Sequence, residues 1–164
     1  MHLAPLIDEA NRLIAACRAH GTRIVTAESC TGGLISALLT EGAGSSDVLE
    51  RGFVTYSNAA KEQVLGVPGA LLAQHGAVSA EVARAMAAGA LARSAATLAV
   101  SVTGIAGPGG GSALKPVGLV YLGMASLGQP TTHLECRFGD IGRSAVRLNC
   151  VKAALGLLWQ ALPA

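Results

Sequence analysis

Aromatic residues are scarce: one Trp, two Tyr and two Phe in 164 residues. The core must therefore be built from Ala, Val, Leu and Ile, and the chain offers few surfaces for stacking on nucleic-acid bases. Charge is sparse too, at 13% of residues, with twelve Lys+Arg against ten Asp+Glu for a net +2. So small and dispersed a charge argues against nucleic acid as a partner. Hydrophobic residues reach 51%, which excludes intrinsic disorder. Mean hydropathy is +0.50, high enough to raise the question of a membrane span. No uninterrupted apolar run of about 20 residues exists, however. The longest charge-free stretches, such as Ser94 to Leu114, are broken by Gly104, Gly107, Pro108 and Gly109 to Gly111. Met1 to Leu13 carries Asp8, Glu9 and Arg12 at helical spacing and lacks a basic segment followed by an apolar run. Neither a signal peptide nor a membrane partner is expected, and the expected location is cytoplasmic. The length suits one domain over residues 1–164, able to bury roughly 70% of its unfolded surface.

Cysteine pairs with metal-site spacing are also missing. Cys17, Cys30, Cys136 and Cys150 form no CxxC, and no His stands at ligand spacing from them. No metal and no other cofactor is expected. Cys17, Cys136 and Cys150 read as buried free thiols of a reducing compartment.

The periodicities alternate between helix and strand. Leu6, Ile7, Ala10, Leu13, Ile14 and Cys17 mark an amphipathic helix ending before Gly21. Thr22 to Ala27 reads as a strand, Thr31 to Leu39 as a helix, and Gly52 to Ser57 as a second strand. Asn58 starts a short helix to about Leu65, Pro68 another to near Gly76, and Ser79 caps a long Ala-rich helix to about Arg93. His75 suits a last helical turn and receives no catalytic role. Leu98 to Thr103 is a buried strand, Val117 to Ala125 and Thr131 to Phe138 a hairpin, and Arg143 to Ala161 a final helix. That helix turns Val146, Cys150, Ala153, Leu157 and Leu158 inward. The pattern predicts an α/β sandwich with a mixed sheet of about five strands.

Four segments carry candidate chemistry. Glu28-Ser29-Cys30-Thr31-Gly32-Gly33 lies at a strand-to-helix junction, where open α/β folds bind ligands. Ser29 or Cys30 there could be a nucleophile served by helix-start amides. Alternatively, Ser29 or Thr31 merely caps the helix. With Asn58 as N-cap, a capping box would want Glu or Gln where Lys61 stands. A lysine at that place opposes the helix dipole, and broken local rules often mark functional residues. A free lysine is only about one part in 2,500 neutral at pH 7, so service as a base needs a shift of roughly 3 units, mostly from burial. A solvated surface lysine is the plainer alternative. Tyr56, five residues earlier, could reach the same pocket or be an ordinary strand aromatic. Thr103 to Ser112, TGIAGPGGGS, reads either as an anion-cradling loop or as a flexible turn; it is neither a P-loop nor a dinucleotide fingerprint. Arg143 and Arg147 stand one helical turn apart, suited to a phosphate or to a solvated face.

Together these segments resemble the CinA C-terminal domain family. The resemblance is carried by TAESCTGGL (Thr26 to Leu34), GSS (Gly44 to Ser46), RGFVTYSNAAKEQVLGV (Arg51 to Val67), QHGAVS (Gln74 to Ser79), VTGIAGPGGGS (Val102 to Ser112) and KPVG (Lys115 to Gly118). Where the family has a Gly-Asp-Arg run, this chain has Gly139-Asp140-Ile141-Gly142-Arg143, two residues longer. Many members carry a second, N-terminal domain, and this chain is similar to the stand-alone form. The resemblance implies a three-layer α/β/α sandwich and nicotinamide-nucleotide amidohydrolase activity without a metal. It puts the nucleophile on Ser29, its lysine on Lys61 and Tyr56 beside them. Substrate binding then falls to Thr31, Gly32, Ser46, Thr103, Gly104, Gly107 and Arg143, with Cys30 a spectator. The partner implied is a small-molecule nucleotide, and self-association into a homo-oligomer stays open. The alternative is a non-catalytic module that senses a nucleotide or engages a protein in competence regulation.

Overall fold

Side chains along the central strands alternate between two apolar clusters, and this alternation sets the layers. The computed structural model describes residues 3–163. The chain runs α1 (Ala4–His20), β1 (Ile24–Glu28), α2 (Leu34–Leu39), a single 3-10 turn (Ser45–Asp47), β2 (Leu49–Val54), α3 (Asn58–Leu65), α4 (Gly69–His75), α5 (Ala80–Ala92), β3 (Leu98–Gly104), β4 (Leu119–Ser126), β5 (Thr132–Arg137) and α6 (Arg143–Gln160). Ile24, Leu98, Val100, Val102, Val120, Leu122 and Met124 point toward α1, α2 and α6. Val25, Ala27, Ala99 and Ala125 point toward α3, α4 and α5. The result is a three-layer α/β/α sandwich. Its five strands lie in the order β2-β1-β3-β4-β5, parallel for β2-β1-β3 and antiparallel for the rest. Among the described residues, no helix is long and apolar enough to cross a membrane.

The two faces are packed differently because their residues differ in size. The α5 face is made of small side chains, so the helix backbone comes close to the sheet. Ser101 Oγ donates to the Ala83 carbonyl at 2.6 Å and accepts from the Gly123 amide at 3.1 Å. A Cβ on Gly123 would overlap that same carbonyl. Gly89 plays the equivalent part against α3, where a Cβ would overlap the Leu65 carbonyl.

Several boundaries differ from the periodicity reading. β1 and β2 reach Glu28 and start at Leu49, respectively. α2 begins only at Leu34, because Gly32 and Gly33 both take positive φ and prolong the turn. The N-cap of α3 is Ser57, whose Oγ accepts from the Ala60 amide at 3.0 Å, and Asn58 is the first helical residue. On α6 the inward residues are Val146, Cys150, Val151, Ala154, Leu155 and Leu158, whereas Ala153 and Leu157 sit at the margin of the core. Cys136, on the edge strand β5, is only half-buried.

These contacts predict opposite signs for two glycine substitutions. Gly156, in α6, has open space around its Cβ position, so Gly156→Ala should stabilise by up to about 1 kcal/mol through helix propensity. Gly89→Ala gains the same propensity but forces α3 away from α5, a cost of roughly 1–3 kcal/mol. Urea denaturation should therefore show Gly89→Ala to be net destabilised. A stabilised Gly89→Ala would mean that α3 does not seat on α5 in this way.

Candidate active site

β1 is flanked by β2 on one side and β3 on the other, so the chain leaves the carboxyl ends of β1 and β3 in opposite directions. A crevice opens where that happens in parallel sheets. Ser29 follows β1 directly; its amide donates to the Val102 carbonyl at 3.0 Å, and its carbonyl accepts from the Gly32 amide at 3.1 Å. Thr55 follows β2, held by a 2.9 Å bond from its amide to the Glu28 carbonyl. One turn into α3 comes Lys61, which is 1% exposed and is the largest fully buried side chain among the described residues.

Lys61 Nζ has three partners. It lies 2.9 Å from Ser29 Oγ, 2.8 Å from the Thr55 carbonyl and 3.3 Å from the Tyr56 carbonyl. None of these partners is a carboxylate, and no ion pair involves Lys61 among the described residues. Burial pushes its pKa below the ordinary lysine value, opposed by the charge that a Cys30 thiolate would carry. A neutral amine fits this setting. As a neutral amine, Lys61 would give its two N–H bonds to the two carbonyls and turn its lone pair to the Ser29 hydroxyl, which would then donate. The pair is thus arranged for transfer of the serine proton to the amine.

The Ser29–Lys61 pair faces a cavity of about 230 Å³, whose walls include Cys30, Tyr56, Ala77, Val78, Thr103, Gly104 and Arg143. Tyr56 is 62% exposed at its mouth. The tyrosine reaches Lys61 through its carbonyl, while its hydroxyl accepts from Arg143 Nη2 at 3.1 Å. A proton relay through that phenol to Lys61 is not the arrangement found. Thr103 Oγ1 donates to the Ala77 carbonyl at 2.8 Å, which leaves it free to accept but not to hold an oxyanion. Arg143 reaches the mouth despite the longer loop before it, anchored on the Gly107 carbonyl at 2.9 Å. Gly139 and Gly142 in that loop both take positive φ.

Other expected site residues lie elsewhere. Ser46 belongs to the 3-10 turn before β2, and so sits at the amino edge of the sheet, opposite the cavity. Thr31 and Gly32 stand behind the nucleophile turn. The Thr31 carbonyl accepts from Arg147 Nη2 at 2.8 Å, and its hydroxyl has no partner. Gly32 leaves room for the same guanidinium, 3.5 Å from where a Cβ would be. Gly107 contributes its carbonyl to Arg143 rather than a cavity wall. A larger cavity of about 620 Å³ lies beyond the glycine-rich loop, between Pro108 to Ser112, Arg137 and Asp140, and does not include the Ser29–Lys61 pair.

Three features were not foreseen. Neither Ser29 nor Thr31 caps α2; the Glu28 carboxylate accepts from the amides of Gly33, Ile35 and Ser36 instead. Those amides are therefore unavailable to a substrate. The Thr55 carbonyl holds Lys61, a backbone role that no side-chain pattern announces. Cys30 and Cys150 interact, which lowers the Cys30 pKa and raises that of Cys150, while burial alone pushes Cys17 up to about 11.

An α/β/α sandwich with a buried serine–lysine pair at its switch point defines the class of protein. The family model for the CinA C-terminal domain matches residues 7–162, and the chain belongs to that family. It is 53% identical over 146 residues to the nicotinamide-nucleotide amidohydrolase PncC of Escherichia coli K12, covering 88% of this chain and 87% of that protein. A CinA-like protein of Anaeromyxobacter dehalogenans is 51% identical over 92% of this chain, which spans only 36% of that longer relative. Among solved structures, the competence/damage inducible protein CihA of Agrobacterium tumefaciens superposes with a TM-score of 0.93 at 54% identity, covering 94% of each chain. A CinA-superfamily protein of Klebsiella pneumoniae gives 0.90 at 35% identity, covering 95% of this chain and 96% of that one.

The lowered pKa of Lys61 has a consequence that needs no substrate. Between that value and about 10.4 the unfolded chain binds a proton that the folded protein does not, so stability rises with pH, at most about 1.4 kcal/mol per unit. Relative to Lys61→Met, the wild type should gain stability as pH rises from the lowered Lys61 value up to about 10.4 and level off above it. A pH-independent difference in denaturation midpoints would show a lysine titrating as in water.

Proposed function

We propose that this chain hydrolyses the carboxamide of nicotinamide mononucleotide, giving nicotinic acid mononucleotide and ammonia. The observation that carries the reading is the 2.9 Å contact between Ser29 Oγ and the buried Lys61 Nζ. The kinship with a nicotinamide-nucleotide amidohydrolase supplies the substrate class.

Ser29 Oγ attacks the carboxamide carbon as its proton passes to the Lys61 lone pair. The oxyanion of the tetrahedral intermediate rests against the Cys30 and Thr31 amides. Thr103 Oγ1 accepts from the carboxamide NH2 and so orients the amide nitrogen. Lys61 returns the proton to that nitrogen, the C–N bond breaks, and ammonia leaves an acyl ester on Ser29. Water, deprotonated by Lys61, attacks the ester; the proton goes back to Ser29 Oγ as the acid leaves. Arg143, held at the mouth by Gly107 and Tyr56, takes the 5′-phosphate.

Ser29→Ala and Lys61→Met should each abolish ammonia release from a folded protein, and the double variant should be little worse than either, because residues acting as one unit are non-additive. Ammonia release at the wild-type rate by Ser29→Ala would remove the nucleophile. Arg143→Ala should weaken nucleotide binding by about 1.5–3 kcal/mol, roughly a 10- to 150-fold rise in KM, with a smaller effect on kcat. Phosphate-free nicotinamide riboside should be insensitive to that change. Equal losses on both substrates would place Arg143 in the chemistry or the fold instead.

A further inference from the structure

We infer that Glu28 is a positioning residue that holds both members of the Ser29–Lys61 pair at once. The inference rests on the reading of Ser29 as nucleophile and Lys61 as its base. Glu28 is fully buried, yet no cation pairs with it among the described residues. A carboxylate so placed is stable only if hydrogen bonds replace its lost hydration. Four do. Oε2 accepts from the amides of Gly33 at 3.1 Å and Ile35 at 3.0 Å, and Oε1 from the Ser36 amide at 2.9 Å and Ser36 Oγ at 3.0 Å.

Those bonds close a loop in the chain. Glu28 is the last residue of β1, Ser29 is the next, and Gly33 is the cap of α2. The side chain of Glu28 thus spans the turn that presents Ser29 and pins its far end. Its backbone works in the other direction. The Glu28 carbonyl accepts from the Thr55 amide at 2.9 Å, and the Thr55 carbonyl accepts from Lys61 Nζ at 2.8 Å. One residue therefore fixes the nucleophile through its carboxylate and the base through its main chain. α2 has no side-chain cap of its own and starts on two glycines of positive φ. Without the carboxylate, little else on α2 defines where the turn ends.

A neutral isostere separates this role from simple bulk. Glutamine keeps one acceptor oxygen, but its NH2 must face a backbone N–H that also donates. In Glu28→Gln the rate constant for labelling of Ser29 by a fluorophosphonate should fall roughly 10- to 100-fold, as misplacement of a reacting group does. In that reaction Ser29 Oγ bonds to phosphorus, fluoride leaves and Lys61 takes the proton. The kcat for ammonia release should fall in parallel, with KM within about threefold of wild type. The folded fraction of each variant is read independently from its urea denaturation curve, and the rate constant divided by that fraction reads placement, so a merely destabilised protein would keep the corrected rate constant. Ser36→Ala, which removes only one of the four bonds, should lower the same rate constant about two- to fivefold. It supplies the comparison if Glu28→Gln does not fold. Labelling at the wild-type rate in either folded variant overturns the inference. If wild type labels at Ser29 but releases no ammonia from nicotinamide mononucleotide, the substrate reading falls, and the ratio of labelling rates still decides Glu28.

Discussion

Burying an amine without a counter-charge is the constraint on which the site depends. Lys61 is enclosed with two main-chain carbonyls and one hydroxyl for company. An ammonium ion in that position would keep three hydrogen bonds but lose its hydration and find no carboxylate; a neutral amine loses far less. Burial therefore shifts Lys61 toward its neutral form. α3, which carries Lys61, lies close to α5, with Gly89 against the Leu65 carbonyl. A looser seat would admit water and restore the lysine's ordinary behaviour.

Ser29 is held by the other face of the same design. Ser29 leaves β1 on a turn whose ends are tied to β3 through Val102 and to α2 through Glu28. The first amides of α2 are consumed internally by the Glu28 carboxylate, so the positive end of that helix does not face the cavity. At the mouth, Arg143 and Tyr56 hold one another, which keeps a forked cation at the rim without occupying the cavity floor.

The mixed sheet and the order of elements were legible because they rest on periodicities of two and 3.6 and on strong punctuation by glycine, whereas the three layers followed from the family resemblance. Ser29, Lys61 and Arg143, singled out in the sequence, line one cavity, though Lys61 was singled out for a partly mistaken reason. The capping-box irregularity assumed Asn58 as N-cap, but Ser57 fills that place, and burial is what distinguishes the lysine. Ser46 looked close to the site in the sequence because of the motif it belongs to, yet a parallel sheet sends the segment before β2 to its amino edge. Tyr56 and Thr103 were placed at the cavity, but not which of their atoms would be free. Glu28 and the Thr55 carbonyl were missed for a common reason: one caps a helix from a preceding strand, the other acts through its main chain, and neither leaves a local pattern.

Kinship with the CinA C-terminal domain family and with an amidohydrolase of 53% identity sets the chemistry within which this site is read, but the physical core of the account is one ionisation. Labelling lysine side chains with 13C and 15N and following the Lys61 Nζ and Cε resonances against pH measures it directly. The account predicts a single lysine titrating well below the ordinary lysine range, lost in Lys61→Met. A Lys61 that titrates with the surface lysines would leave Ser29 beside an ammonium ion at neutral pH and contradict it.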